Sequence, residues 1–220
     1  MSNSNGYTAR KARFLNRVYA RLATRTRAAT GFVSSPEPRT IGSFAKGRQL
    51  VAGNFLFAGY LIKAPAASIW ALKAPNAAFE GDLHGFAWMD DLAAVGDTPS
   101  RASMQSWLWE WIDQFGRGSG AGWTPDLTGR RLIRWINHAL FVLRGQENDR
   151  SDAFYLSLAQ QTTFLSKRWH SASPGLPRFE ALTGLIYAGL SLQGMESLAR
   201  PAIKALAKEC SVQVDSEGGL

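Results

Sequence analysis

From Leu83 onward the chain repeats one pattern. Apolar side chains recur at spacings of three and four, and glycine or proline interrupts them at intervals of roughly 12 to 18 residues. Phe86, Met89, Leu92 and Ala93 mark a short helix that closes near Gly96. Pro99 and Ser100 open the next, with Met104, Trp107, Leu108, Trp111, Ile112 and Phe115 on its apolar side. The glycine-rich stretch from Gly116 to Gly122 breaks it. Thr128 caps a helix with the apolar face Leu132, Ile133, Ile136, Leu140 and Leu143, ended by Gly145. Ser151 or Asp152 opens another through Phe154, Leu158, Phe164, Leu165 and Trp169. After the Pro174 to Pro177 turn, Phe179, Leu182, Leu185, Ile186 and Leu190 make one more helix, and Leu198 to Val214 the last. A one-sided apolar stripe has to be buried against another element. No strands alternate with these helices, so a doubly wound sheet is not expected, and helical hairpins joined this way build bundles, solenoids or α/α toroids.

The first 82 residues read differently. Thr30 to Arg39 carries Gly31, Ser34, Ser35, Pro36 and Pro38 and reads as a linker. Residues 41–63 read as short extended segments. Phe55-Leu56-Phe57 lies between Gly53 and Gly59, and Tyr60-Leu61-Ile62 follows, which predicts a β-hairpin. Pro65 and Pro75 bracket an extended stretch carrying Trp70. The expected organisation is a basic amphipathic leader helix over 1–30, a linker with a β-hairpin or extended segment over 31–82, and a helical body over 83–220.

Charge divides along the same line. Residues 1–79 hold twelve basic side chains and one acid, Glu37, a net +11; residues 80–220 hold 13 basic and 16 acidic ones, a net −3. The formal +8 of the whole chain is thus a basic leader on a mildly acidic body. In the leader, Phe14, Val18 and Leu22 recur every fourth residue, flanked by Leu15 and Tyr19, with Arg10, Arg13, Arg17 and Arg21 to the other side. Such a helix lies on an anionic membrane surface or a polyanion, or packs its stripe on the body. Nucleic acid is not the expected partner.

Several functions are excluded. The chain lacks a phosphate loop, a dinucleotide fingerprint, an HExxH helix and a GxSxG elbow. One cysteine, Cys210, allows no intramolecular disulfide and reads as a buried thiol late in a helix. His84, His138 and His170 have no ligand spacing, so no metal site and no cofactor are expected. Asp90-Asp91 reads as a solvated face. No run is long and apolar enough to span a bilayer, and the N-terminus lacks the core of a secretory signal.

The densest polar cluster runs from Trp123 to His138. Arg131, Trp135 and His138 share a helix face, and Arg134 pairs with His138 at four-residue spacing. Read functionally, Trp123 and Trp135 stack on rings, Arg131 grips a carboxylate or sulfate, and Asn137 and His138 add hydrogen bonds. Read structurally, the same helix shows a basic face with Trp135 wedged between neighbours.

These segments resemble the N-terminal helical part of the heparinase II/III family of polysaccharide lyases. The resemblance runs from about residue 41 to 220. It rests on Gly53-Asn54-Phe55-Leu56-Phe57, Trp70, Leu83-His84-Gly85-Phe86-Ala87-Trp88 with Leu92, Trp123-Thr124-Pro125, Arg130-Arg131-Leu132 and Trp135-Ile136. Later pieces are Ala188-Gly189-Leu190, Gly194-Met195-Glu196 and the ending Asp215-Ser216-Glu217-Gly218-Gly219. The resemblance implies a mainly α chain: a partial (α/α) toroid of helical hairpins over 83–220, with a short N-terminal β-hairpin. A β-sandwich is expected further along in full-length members, so the chain reads as part of a longer protein.

The family's chemistry is β-elimination on uronic-acid polysaccharides, which makes an acidic polysaccharide the implied ligand. The asparagine–histidine pair that follows a glycine in its lyases is replaced here by Leu176 and Pro177 after Gly175, and a further asparagine by Ala181. The usual tyrosine base falls beyond Leu220. Arg178, as a substrate-binding residue, and Glu180 are the candidate substitutes, and Tyr187 reads as helix packing. No catalytic residue is assigned. Two readings follow: a carbon–oxygen lyase on acidic glycans, or a non-catalytic glycan-binding or scaffold module derived from one. The missing signal points to the cytoplasm, and the resemblance to the cell envelope or periplasm.

Overall fold

A computed structural model describes residues 2–34, 36, 38, 40–213 and 218. Ser35, Glu37 and Arg39 of the linker, Val214, and the closing Asp215–Gly219 segment apart from Gly218 lie outside the described residues.

The described chain is mainly helical, with one small antiparallel hairpin. Its elements are α1 (Ser2–Ala23), α2 (Phe44–Val51), β1 (Asn54–Phe57), β2 (Tyr60–Lys63), α3 (Ala77–Gly85), α4 (Trp88–Val95), α5 (Thr98–Phe115), α6 (Pro125–Asn137), α7 (Ala139–Leu143), α8 (Asn148–Arg168), α9 (Leu176–Ser191) and α10 (Ala199–Gln213). Side-chain caps set several starts. Ser43 caps α2, Asn76 accepts from the Phe79 N–H at 2.9 Å to open α3, and Asp97 accepts from the Ser100 N–H at 2.8 Å to open α5. Pro99 and Pro125 sit in the first turns of α5 and α6, where no helical N–H is lost.

Several sequence expectations change along the chain. Residues 41–63 are not all extended, because α2 occupies 44–51 ahead of the hairpin. Gly47 allows α2 to approach α4 closely: a Cβ there would lie 2.2 Å from the Asp91 carbonyl oxygen. The helix expected through Leu143 breaks at His138, whose φ and ψ are −102° and 13°, and α7 resumes after it. The linker is pinned, since Phe32 bridges Leu192 and the Val33 N–H donates to the Ser191 carbonyl at 2.8 Å. Cys210 is exposed on α10 rather than buried.

The leader packs on the body, but its buried face is turned away from Phe14 and Leu22 of the expected stripe, and only the flanking Tyr19 joins it. Asn16, Ala20 and Ala23 face α8, and Asn16 accepts from the Arg168 Nε–H at 2.8 Å. Phe14 and Leu22 point outward, 65% and 48% exposed.

The core is aromatic. Phe86 lies between Trp70, Trp88, Trp111 and Trp135, and Trp135 stacks on Phe154 at 5.7 Å and 17°. Phe86 joins α3 to α4 with φ at +61°, a left-handed conformation unusual for a bulky residue. Its fully buried ring offsets that local strain.

The closest helix pairing is α6 on α9. A Cβ on Gly184 would sit 2.3 Å from Gly129 Cα, and one on Gly129 would sit 2.2 Å from the Glu180 carbonyl oxygen. Only glycine permits this approach. Gly184→Ala is therefore expected to cost about 2–3 kcal/mol through forced separation of the two backbones. Gly81→Ala in α3, where a Cβ meets nothing within 4 Å, is expected to stabilise by about 1 kcal/mol. Urea unfolding of both variants checks the opposite signs; a neutral or stabilising Gly184→Ala would contradict the packing.

Candidate functional site

A cleft of about 580 Å³ opens between α3, α6 and α9. Arg130 and Arg134, one helical turn apart on α6, line it with Asp82, Phe179, Glu180 and Thr40. Each arginine is held by one carboxylate. Arg130 Nε is 2.8 Å from Glu180 Oε1, and Arg134 Nε is 3.3 Å from Asp90 Oδ2. The pairs are ionic but poorly aligned: both Nε atoms and Glu180 Oε2 are buried without a well-directed hydrogen bond among the described residues. Asp90 also takes His138 Nε2 at 2.8 Å on its other oxygen. Cations one turn apart, set among carboxylates, suit a polar anionic group with its own donors.

Asp90 and Asp91 are not a solvated pair. Asp90 is buried in this cluster, and Asp91 accepts the Ser43 N–H at 2.7 Å. Burial raises the Asp91 pKa, and the Ser43 hydrogen bond works against that rise. The two carboxylates anchor the start of α2 and one end of α6 to α4.

The sequence-predicted site residues do not converge on this cleft. Arg131, Trp135 and His138 share a helix face as expected, but that face looks into the core. Trp135 is fully buried, so neither side of its ring is open to a sugar. Trp123 is buried, with its Nε1–H donating to the Phe115 carbonyl at 2.8 Å. His138 is held by Asp90, and half-buried Asn137 accepts the Tyr187 hydroxyl. Arg178 ties the start of α9 to α10 through both Glu209 oxygens at 3.2 Å, and also donates to the Ala172 carbonyl at 3.0 Å. Among the described residues no group of three metal-ligating side chains forms.

Arg131 is the centre of a buried network. Its Nε donates to Gln161 Oε1 at 2.6 Å, and one terminal nitrogen to the His84 and Gly122 carbonyls at 3.0 and 3.1 Å. The other terminal nitrogen reaches Thr128 at 3.4 Å, and the guanidinium carbon lies 4.1 Å from the Trp111 ring centre. His84 beside it accepts the Trp111 Nε1–H on Nδ1 at 3.0 Å. That contact needs a neutral imidazole. Burial first, and the Arg131 cation second, hold the His84 pKa down at about 3.

A folded-state pKa below the unfolded one means that the unfolded chain takes up the proton first. Stability from His84 is present above about pH 6.5 and is lost as pH falls toward 3. Between pH 6 and 5 the wild type is expected to lose about 1 kcal/mol more than a His84→Gln variant, whose amide oxygen can still accept from Trp111. Urea titrations at both pH values measure the difference; parallel losses would refute a neutral buried His84.

Sequence reasoning passed over Asp90 and Thr40 as site residues and did not single out Arg130 among the arginines of 130–134. A usable signal lay in the four-residue spacing of Arg130 and Arg134 on the side of α6 away from Leu132 and Ile136.

No protein-family model matches the chain, and no solved structure matches it significantly. It is 26% identical over 190 residues to the FtsZ-localized protein C of Caulobacter vibrioides, an alignment covering 83% of this chain and 31% of that protein. The chain thus spans about a third of that relative's length.

Proposed function

We propose that this chain is a non-catalytic docking module derived from lyases of the heparinase II/III type, folded as an incomplete α/α toroid and attached to an anionic membrane surface through α1. The outward face of α1 carries this reading. Arg10, Arg17 and Arg21, with Arg25 just beyond the helix, are all exposed around Phe14, and Leu22 lies at the margin of the same face. The helix contains no acid. An aromatic ring and a leucine among arginines are poorly served by water and well served by an anionic lipid interface. Among the described residues no helix is long and apolar enough to cross a membrane.

The absence of turnover is supported by Leu176 and Pro177 at the place of the lyases' asparagine–histidine pair, and by the burial of Trp123, Arg131 and Trp135. We place the module on the cytoplasmic side of the membrane, and extend to it the location that the Caulobacter relative's name gives, with FtsZ. Sedimentation with phosphatidylglycerol-containing vesicles tests the docking. Binding that weakens with salt and is absent from phosphatidylcholine vesicles is expected; equal binding to both lipids, or none, would overturn it.

A second reading keeps the acidic polysaccharide as ligand and places it in the cleft, favoured by Arg130 and Arg134 along one wall. Alginate, heparan and hyaluronan are the substrates to offer. An absorbance rise from unsaturated uronate would restore a lyase and remove the non-catalytic reading.

A further inference from the structure

The β1–β2 hairpin is apolar on both faces. Its inner face puts Phe55 and Phe57 into the core, with Ile62 half-buried beside them. Its outer face is normally the polar one in a half-covered antiparallel pair. Here that face carries Leu56 directly across from Leu61, 46% and 53% exposed. Lys63, across from Asn54, is exposed on the same outer face at the end of β2, and Tyr60, paired with Phe57 on the other face, stands exposed beside the turn. No acid occurs between Asn54 and Lys63.

The tip is also held in place. Ala58 and Gly59 form a two-residue turn with φ at +48° and +82°, and the Ala58 N–H donates to Asp82 Oδ2 of α3 at 2.8 Å. Asp82 lines a groove of about 770 Å³ that Arg13 and Arg17 of α1 line as well. The hairpin tip and the basic helix therefore flank one short helix, α3.

We propose that the hairpin is a second contact with the same anionic bilayer: Leu56 and Leu61 enter the boundary between headgroups and acyl chains, Tyr60 sits at headgroup level and Lys63 meets lipid phosphate. This rests on the docking of α1 proposed above. A bilayer suits the hairpin better than a protein partner does, because two leucines with a tyrosine at the turn's margin form too small a patch for a stable protein interface. The patch brings no acid of its own and carries Lys63 at its end, while Glu80, Asp82 and Asp126 line the groove that separates it from the arginines of α1. Alpha helix and hairpin divide the work, with α1 supplying charge and the hairpin shallow insertion.

The test uses an environment-sensitive fluorophore attached at position 61 of a Leu61→Cys, Cys210→Ser variant, with phosphatidylglycerol–phosphatidylethanolamine vesicles. A blue shift on binding and quenching by lipids with a quencher near the headgroup are expected. In the unlabelled protein, Leu56→Ser with Leu61→Ser is expected to weaken vesicle binding about tenfold with thermal unfolding unchanged. Protein that sediments with vesicles while its label stays unshifted and unquenched overturns the hairpin contact and leaves α1 docking intact. Failure to sediment overturns both. A label that turns blue without vesicles as protein concentration rises assigns the face to a second copy and overturns the proposal.

Discussion

Replacing Arg131 by alanine is expected to destabilise the protein by about 3–5 kcal/mol, a large share of what holds a domain of this size together. Arg131 is fully buried, and among the described residues no carboxylate touches it. Four acceptors and the faces of Trp111 and Trp123 hold its charge instead. Burial lowers its pKa to about 9, so it remains a cation at neutral pH. Alanine would leave Gln161, Thr128 and two carbonyls without their donors and open a void beside Trp111. Lysine would keep the charge but not the planar fork that reaches all four acceptors, so Arg131→Lys is expected to lose most of the same stability. Urea unfolding followed by far-ultraviolet circular dichroism measures both. A loss below about 1 kcal/mol for alanine would show that the network tolerates an empty centre.

Neutralising the outward arginines of the leader is expected to remove membrane attachment without touching the fold. Each basic side chain near an anionic surface contributes about 1 kcal/mol. Changing Arg10, Arg17, Arg21 and Arg25 to glutamine should therefore weaken binding to phosphatidylglycerol vesicles by about 4 kcal/mol, roughly a thousandfold. All four are exposed, and the face that meets α8 is built by Asn16, Ala20 and Ala23, so the thermal unfolding midpoint should hold. Phe14→Ser is expected to weaken binding less and to leave its salt dependence in place, since it removes insertion rather than charge. If the glutamine variant binds vesicles as the parent does, attachment does not run through α1.

The helical body was legible because its spacing is strong. The stripe from Met104 to Phe115 predicts α5, and its end at the glycine-rich stretch follows from helix propensity alone. The hairpin was legible from aromatic runs flanking Ala58-Gly59. Charge hid the rest. On α6 the buried residues include Leu127, Thr128, Arg131, Leu132, Trp135 and Ile136, a regular stripe in which arginine takes a core position. Read by residue type, Arg131 belongs to a binding face; read by position alone, it belongs to the core. The leader inverts the same logic. Small and polar residues (Asn16, Ala20, Ala23) make the buried face with Tyr19 beside them, while Phe14 and Leu22 face out, so ranking by hydrophobicity selects the wrong side. The cleft was least legible, because Arg130, Glu180 and Asp90 come from three separate helices and meet only through the contact of α6 with α9 and α4 with its neighbours.

The glycine contact between α6 and α9 bears on how the cleft can work. Two helices that touch backbone to backbone have no slack, so they move as one rigid jaw carrying both Arg130 and Glu180. Any closure around a ligand must come from the opposite jaw, α3 and α4, which are joined at the left-handed Phe86. That joint is buried among tryptophans, so swinging the jaw requires repacking the aromatic core. The opening of the cleft is consequently set when the protein folds.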